Sequence, residues 1–345
     1  MEKTRNIDID VLKGIGIISV VIGHAMNTEI FASASADKIR CFVYLYHLPI
    51  FFFCTGYFFK CDAILSCIKR LWKQYKMLLG ICFSSFVFIP LWVSNKMIEK
   101  PTLSEIVHRG VDILLFRENG YYVGAMWFVP FMATATIIYS MIYLLTAKES
   151  TNKLAWMSAL CGIAGILLVS RYGIGKRYIF IALLMIPIMF AGSLYKKYNK
   201  IISSNRWIAF PALLGLLLAV FSGGGQQIEL SKGLIYSKWL FYPIVLCGLL
   251  FCVVVKDIII QVPFMSRAVA ALGEASAYIM GFHFIVFKVI DIAAYTTGIF
   301  LVDRSAFPIG CPQLRCLYIV AGLLFPMSLF ELVKSMAGKH NSNEC

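Results

Sequence analysis

The residues with the clearest chemical potential lie close to the start of the chain, in the stretch 5–24, RNIDIDVLKGIGIISVVIGH. Asp10 and Lys13 are three positions apart, so a helix places them on one face. His24 follows Lys13 by eleven positions, about three full turns, so both side chains point the same way, roughly 16 Å apart along the axis. An acid, a cation and a titratable base on one stripe suit proton transfer. The alternative is a charge cluster at a membrane surface followed by a histidine that only packs.

Two further histidines occupy apolar segments. His47 precedes Pro49, which removes one helical hydrogen bond and frees the carbonyl of Leu45. This pattern predicts either a cavity-lining histidine or one satisfied by that carbonyl. His283 follows Ser276 by seven positions, so the two share a helix face. Three imidazoles in separate apolar helices are compatible with a metal site, a proton relay or an acyl-transfer site. Metal is the weakest option, because the sequence has no HxxxH or carboxylate–histidine pattern.

Cationic and aromatic residues complete the candidate set. Lys69, Arg70 and Lys73 follow the second apolar segment, within a basic connector over 60–76. Such a cluster is typical of a site for a phosphate-bearing ligand, or of simple anchoring at a membrane surface. Trp127, in GAMWFVPFM, is typical of a residue in the membrane interface, and Pro130 beside it predicts a kink.

Composition identifies the class of protein. The chain has 345 residues, of which 60% are hydrophobic and 14% charged, with a mean hydropathy of +0.79; soluble domains are about one quarter charged. Apolar runs long enough to cross a bilayer recur throughout. We therefore predict an all-α fold, a polytopic integral membrane helix bundle of about ten transmembrane helices, forming a single domain over 1–345. The predicted spans lie near 11–32, 41–59, 77–93, 122–145, 154–169, 178–194, 208–222, 236–255, 270–295 and 314–333.

The net charge of +14 does not indicate a nucleic-acid partner, because the basic residues lie in short connectors between the spans. Their modest excess on one side favours cytoplasmic termini in a plasma or inner membrane. We expect the first apolar segment to be retained rather than cleaved as a signal peptide near Ala34, because it contains acidic residues and His24.

Three smaller patterns make predictions about packing. Lys288 and Asp291 are three positions apart and predict an ion pair. Glycines at 56, 273 and 281 predict close helix contacts. Most of the eleven cysteines lie in apolar spans, and for Cys311 and Cys316 the sequence leaves open whether they pair.

Four motifs together resemble the acyltransferase-3 family of integral membrane O-acyltransferases, and the chain is similar to the fucose 4-O-acetylase-like and polysaccharide O-acetyltransferase branch. The motifs are the stretch 5–24 above, YHLPIFFFCTGYFFK, MWFVPFM and LGEASAYIMGFH. The resemblance implies a ten-helix membrane domain that moves an acyl group, usually acetyl, from cytoplasmic acyl-CoA onto a carbohydrate.

The resemblance also assigns residues. The family's hallmark basic residue and histidine correspond to Lys13 and His24, with lysine where arginine is commoner, so the bidentate fork is lost. Asp10 matches the acidic position before them. His47 matches the histidine before the Pro-x-Phe-Phe motif. The late histidine and its serine correspond to His283 and Ser276, while Glu274 stands where a polar or basic residue is commoner.

These assignments imply a mechanism with His24 as the general base toward the acceptor hydroxyl, a role that suits an imidazole. Lys13 and the 69–73 cluster would meet the charged end of acyl-CoA, and His47 and His283 would orient the site or stabilise developing oxyanion charge. The expected partners are acyl-CoA (acetyl-CoA), a carbohydrate acceptor and membrane lipid, with no metal. Direct transfer is favoured over an acyl-enzyme on Ser276 or Cys54.

Two other classes of function remain open at this stage. A transporter or flippase of a lipid-linked sugar also fits intramembrane histidines and prolines, and a sensor or assembly factor would need no catalysis. The sequence does not specify the acceptor sugar, its hydroxyl, the acyl length or the oligomeric state.

Overall fold

Helices make up nearly all of the regular structure. The computed structural model describes residues 6–27, 33–115, 117, 120–146, 150–172, 177–203, 206–222, 229–235, 238–304 and 306–342. Over these residues the only β contact is an isolated bridge between Glu229 and Leu234, so the all-α prediction is confirmed. The α-helices are α1 (Ile7–Ala25), α2 (Ala34–Tyr44), α3 (Pro49–Tyr57), α4 (Ile64–Ser84), α5 (Ile89–Ser94), α6 (Leu103–Leu114), α7 (Phe128–Thr146), α8 (Thr151–Tyr172), α9 (Arg177–Ser203), α10 (Ala209–Ser222), α11 (Phe241–Ile260), α12 (Pro263–Glu274), α13 (Ser276–Thr297) and α14 (Arg315–Ser342).

Eight helical stretches of the described residues are long and apolar enough to cross a membrane, fewer than the predicted ten. They are Ala34–Tyr57, Ile64–Ser94, Gly124–Thr146, Thr151–Tyr172, Ile179–Asn199, Phe241–Ile260, Ser276–Thr297 and Pro312–Met336. The other two predicted spans correspond to α1 and α10. Helix α10 has only 14 residues, and α1 carries Asp8, Asp10 and Lys13 within its 19 residues.

Helix α1 lies inside the bundle rather than at its edge. It packs against α2, α3, α11, α12, α13 and α14, and most of its residues are buried. Ionisable side chains in a membrane face a protein interior or an aqueous cavity, because hydrocarbon cannot solvate them. The same residues that lower the hydropathy of α1 therefore explain its central position.

Glycines allow the closest helix contacts, as predicted. A Cβ added to Gly273 in α12 would lie 1.8 Å from the carbonyl oxygen of Asp10 in α1, and one added to Gly14 would lie 2.1 Å from the carbonyl oxygen of Val269. Helices α3 and α9 meet in the same way, since a Cβ on Gly56 would lie 1.9 Å from the carbonyl oxygen of Met189. These contacts lock α1 and α3, which carry the candidate site, onto their neighbours.

The proline positions differ from the prediction of a kinked second and fourth span. Pro49 is the first residue of α3, after a turn over 45–48, and Pro130 is in the first turn of α7. Proline is tolerated at these positions because the first turn of a helix has no acceptor for its amide groups. Each proline therefore begins a helix where the sequence predicted a bend.

Two stretches that lie between predicted spans contain helices. Most of the basic stretch 60–76 belongs to α4, and the polar stretch 94–121 contains α6, which starts with a capping box between Thr102 and Glu105. In both stretches the apolar residues keep a helical spacing, although charged residues lie between them. Cys311 and Cys316 are both free thiols.

The predicted ion pair is present and fully buried near the C-terminal end of α13. Lys288 Nζ lies 2.7 Å from Asp291 Oδ2 and also donates to the carbonyl of Ala306. Asp291 accepts from the amide of Gly310 at 3.0 Å and from the hydroxyl of Tyr318. The pair thus ties the segment before α14 to α13.

We predict that Gly273→Ala lowers the melting temperature of the protein in detergent, because the added Cβ forces α12 away from α1. Overpacking of this kind costs about 1–3 kcal/mol. The measurement is the fraction of monodisperse protein left after heating, followed by size-exclusion chromatography. Gly80→Ala is the matched control, since its Cβ would meet no atom within 4 Å. Equal Tm values for the two variants would contradict the α1–α12 contact.

Candidate active site

His24 lies beside His283 in the interior. Their ring centroids are 5.3 Å apart and nearly parallel, because α1 and α13 pack together. His283 is fully buried and His24 is partly accessible. Of the two, only His24 is therefore open to a reactant.

The hydrogen bonds of His283 and His47 define their tautomers. His283 Nδ1 lies 2.7 Å from the carbonyl oxygen of Ile279, and a carbonyl can only accept, so Nδ1 carries the proton. The Nε2 atom of His283 is then a buried acceptor without a hydrogen-bond partner in the described structure. His47 donates in the same way through Nδ1 to the carbonyl of Val43 at 3.1 Å, not to the carbonyl of Leu45 that the sequence suggested.

Tyr44 joins the third histidine to the other two. Its ring stacks on His47 with centroids 4.4 Å apart and meets His24 edge-on at 6.3 Å. Tyr44 ends α2 and His47 follows three positions later in the turn over 45–48, a spacing at which side chains of helical backbone are already neighbours.

A small cavity of about 40 Å³ opens beside these residues. Trp127 lies on its wall, at the end of a 3₁₀ turn over Gly124–Trp127, and stacks on Phe131 at 5.1 Å. Trp127 thus lines an internal cavity, and its place in the membrane interface stays a prediction. The cavity is lined by Val20, His24, Tyr44, His47, Leu48, Ala125, Trp127, Glu229, Leu230, Ser231 and Met280.

A buried ion pair that was not predicted from the sequence lies at the edge of this cavity. Arg40 is only 4% exposed; it donates to Glu229 at 3.2 Å and to Asn27 at 3.4 Å, and its guanidinium lies 5.1 Å from the ring centroid of Tyr44. The spacing of Arg40 and Tyr44, one helical turn, was a signal available in the sequence. Nothing local pointed to Glu229, which reaches Arg40 only through the tertiary fold.

A larger cavity of about 400 Å³ lies along the other part of α1, within the usual range for small-molecule sites. Lys13 lines it and lies 3.6 Å from Asp10 Oδ1, so the predicted acid–cation pair on one face is present. Ser276, the first residue of α13, lines this cavity too. Glu274 also lines this cavity and forms an ion pair with Lys334 at 2.9 Å. The other polar residues of the lining are Thr55, Lys60, Gln74 and Thr136.

The predicted site residues thus fall into two groups along α1. His24, His47 and Trp127 line the small cavity with His283 behind them, whereas Lys13 and Ser276 line the large one. Lys69 is exposed on α4 and is not among the lining residues; Lys60 and Gln74 are. The side chains of Arg70 and Lys73 lie outside the described residues.

The described residues contain no group of three His, Cys, Asp or Glu side chains able to hold a metal ion. The chemistry that these side chains support is proton transfer at His24. His283 and His47, each in a fixed tautomer, lie close to it, and the cation Lys13 lies near the other end of the same helix.

Comparison with known proteins gives one match. The acyltransferase-3 family model, described as an acyltransferase domain, matches residues 6–331. No curated protein and no solved structure matches the chain significantly. The matched residues include the lining of both cavities and the three histidines of the site, His24, His47 and His283. The chain therefore belongs to the acyltransferase-3 family and is a membrane acyltransferase.

Proposed function

We propose that the protein moves an acetyl group from cytoplasmic acyl-CoA to a hydroxyl of a cell-surface polysaccharide or lipid-linked glycan, as in the fucose 4-O-acetylase-like and polysaccharide O-acetyltransferase branch. The observation that carries this proposal is the placement of Lys13 and His24 on one buried helix, each lining a different cavity. A donor with a charged head and a thin acyl-carrying arm, and a separate hydroxyl acceptor, need such an arrangement.

The large cavity supports the donor role. Its volume suits a flexible arm, and Lys13 and Lys60 supply positive charge. Lysine binds phosphate as a point charge without fixed geometry, which tolerates the exchange of the family's commoner arginine for Lys13. Lys13 forms its ion pair with Asp10 at 3.6 Å while its own side chain lines the cavity.

The small cavity supports the acceptor role. Trp127 and Tyr44 give it aromatic walls, and Glu229 and Ser231 give it polar atoms, a combination suited to a hydroxyl-bearing ligand. Its volume of about 40 Å³ is far below the roughly 300–1,000 Å³ of sites that enclose a small molecule. The reacting hydroxyl would therefore enter the cavity, and the rest of a sugar would lie outside it.

His24 takes the proton of the acceptor hydroxyl as the hydroxyl oxygen attacks the thioester carbonyl. The bond from oxygen to the acyl carbon forms, the carbon–sulfur bond breaks, and His24 returns the proton to the leaving thiolate of CoA. His283 and His47 act as positioning residues, because their Nδ1 protons are held by backbone carbonyls. With Nε2 as an acceptor, His283 is suited to stabilise the protonated form of His24 rather than to donate to an oxyanion.

We expect His24→Ala to lower glycan acylation by about two to four orders of magnitude, the usual contribution of a positioned general base. The assay is transfer of radiolabel from acetyl-CoA to glycan in membrane vesicles, with protein abundance measured in parallel. His108→Ala is the matched control, since His108 is exposed on α6 away from both cavities. Wild-type acylation by the His24 variant would remove this residue from the mechanism.

Lys13→Ala should raise the acyl-CoA concentration needed for half-maximal transfer by about tenfold, as expected for the loss of one charge-assisted contact. Lys13→Arg should keep the concentration within about threefold of wild type, because the charge is retained. Transfer rates over a range of acyl-CoA concentrations test both variants. An unchanged donor dependence for Lys13→Ala would leave Lys13 as a structural partner of Asp10 alone.

The orientation has its own test. If both termini are cytoplasmic, the start of α4 faces the cytoplasm and α6 the outside. With the native cysteines replaced, a membrane-impermeant maleimide should label Ser104→Cys in intact cells and Ser66→Cys only after permeabilisation; both positions are exposed. The reverse pattern would put the large cavity on the wrong side for a cytoplasmic donor.

A further inference from the structure

The two cavities meet at one side chain. Among the described residues, Met280 alone lines both the large and the small cavity. It is buried, with 6% exposure, and lies on α13 one turn before His283, the residue against which His24 stacks. The side chain that borders both cavities is therefore one helical turn away from the His24–His283 pair.

Two other elements each place one residue at the small cavity and a nearby residue at the large cavity. In the 3₁₀ turn, Ala125 lines the small cavity and the next residue, Met126, lines the large one. At the start of α3, Leu48 lines the small cavity and Phe51 the large one. The partition is thus about one side chain thick, and the side chain of Met280 belongs to both of its faces.

Methionine suits a partition that has to move. Its side chain is unbranched, has three rotatable bonds and adapts to irregular spaces. A change of rotamer breaks no hydrogen bond, because Met280 has no strong donor or acceptor. A branched or aromatic side chain at this position would move less freely between its neighbours.

We propose that Met280 is a positioning residue for acyl transfer: its side chain is the movable partition through which a thioester in the large cavity reaches the acceptor hydroxyl beside His24. This inference rests on the proposed function, and it adds a second role. In its closed position Met280 keeps water in the small cavity away from the thioester.

The second role has a defined chemical consequence. When the partition is removed, water takes the place of the acceptor hydroxyl. Its oxygen bonds to the acyl carbon, the carbon–sulfur bond breaks, and the products are the free carboxylic acid and the thiol of CoA. Release of thiol without acyl transfer to glycan is therefore the signature of an open partition.

The experiment measures thiol release and label transfer from radiolabelled acetyl-CoA in the same vesicles. Met280→Ala should raise the ratio of hydrolysis to transfer at least about fivefold over wild type. Met132→Ala is the matched control, because Met132 lines only the large cavity. Whatever it does to donor affinity, its ratio should stay within about twofold of wild type.

A second variant closes the partition instead. Met280→Phe should lower the transfer rate at least about tenfold, while the half-saturating acyl-CoA concentration stays within about threefold of the wild-type value. If Met280→Ala does not fold, this variant alone tests the inference. An equal ratio in Met280→Ala and Met132→Ala, or wild-type transfer by Met280→Phe, would overturn the inference. Failure of the wild-type protein to label any glycan would instead contradict the proposed function.

Discussion

The structure depends on the need to keep the polar side chains of α1 out of hydrocarbon. Asp10, Lys13 and His24 lie on a helix that would be costly to expose to lipid, and the fold surrounds that helix with six others. Close approach on its most polar side uses glycine, where Gly273 faces the backbone at Asp10. Burial of α1 in turn places the candidate site inside the protein, where charge interactions are stronger than in water.

Irregular backbone occurs where the chemistry is placed. The turn over 45–48 separates α2 from α3, and the 3₁₀ turn over Gly124–Trp127 precedes α7; both contribute residues to the small cavity beside His24. Non-helical backbone at membrane depth is tolerated where it is buried in protein or lines a cavity, and both conditions hold here. Tyr44 is the last residue before the first of these turns and Trp127 the last residue of the second, and both line the small cavity.

The two cavities differ in the chemistry of the side chains that line them. The large cavity carries lysine side chains at one part of α1, and the small one carries imidazole and carboxylate groups at the other. Two buried ion pairs brace the region around the small cavity. Arg40 holds Glu229 at its edge, and Lys288 with Asp291 ties the segment before α14 to α13. Breaking a buried pair leaves an uncompensated charge, so these contacts hold their segments in one arrangement.

The sequence by itself determined the class of fold, the family and the residues of the polar helix. Composition and apolar runs indicated a helical membrane bundle, and the spacing of Asp10, Lys13 and His24 was enough to place them on one stripe. Local spacing also predicted the Lys288–Asp291 pair and the glycine contacts, because both depend on neighbours within a helix or on side-chain size alone. The sequence did not predict that Pro49 and Pro130 lie in the first turns of helices, because a proline can either break a helix or start one.

Only the tertiary structure decided which polar residues meet. The stacking of His24 on His283 and the pairing of Arg40 with Glu229 join residues far apart in the chain. The packed helices also decide that Ser276 lines the large cavity while His24 and His47 line the small one. The period of a helix gives the face on which a side chain lies but not the helix that this face meets. That choice comes from the packing of all the helices at once, through glycine contacts and buried charges that no single segment contains.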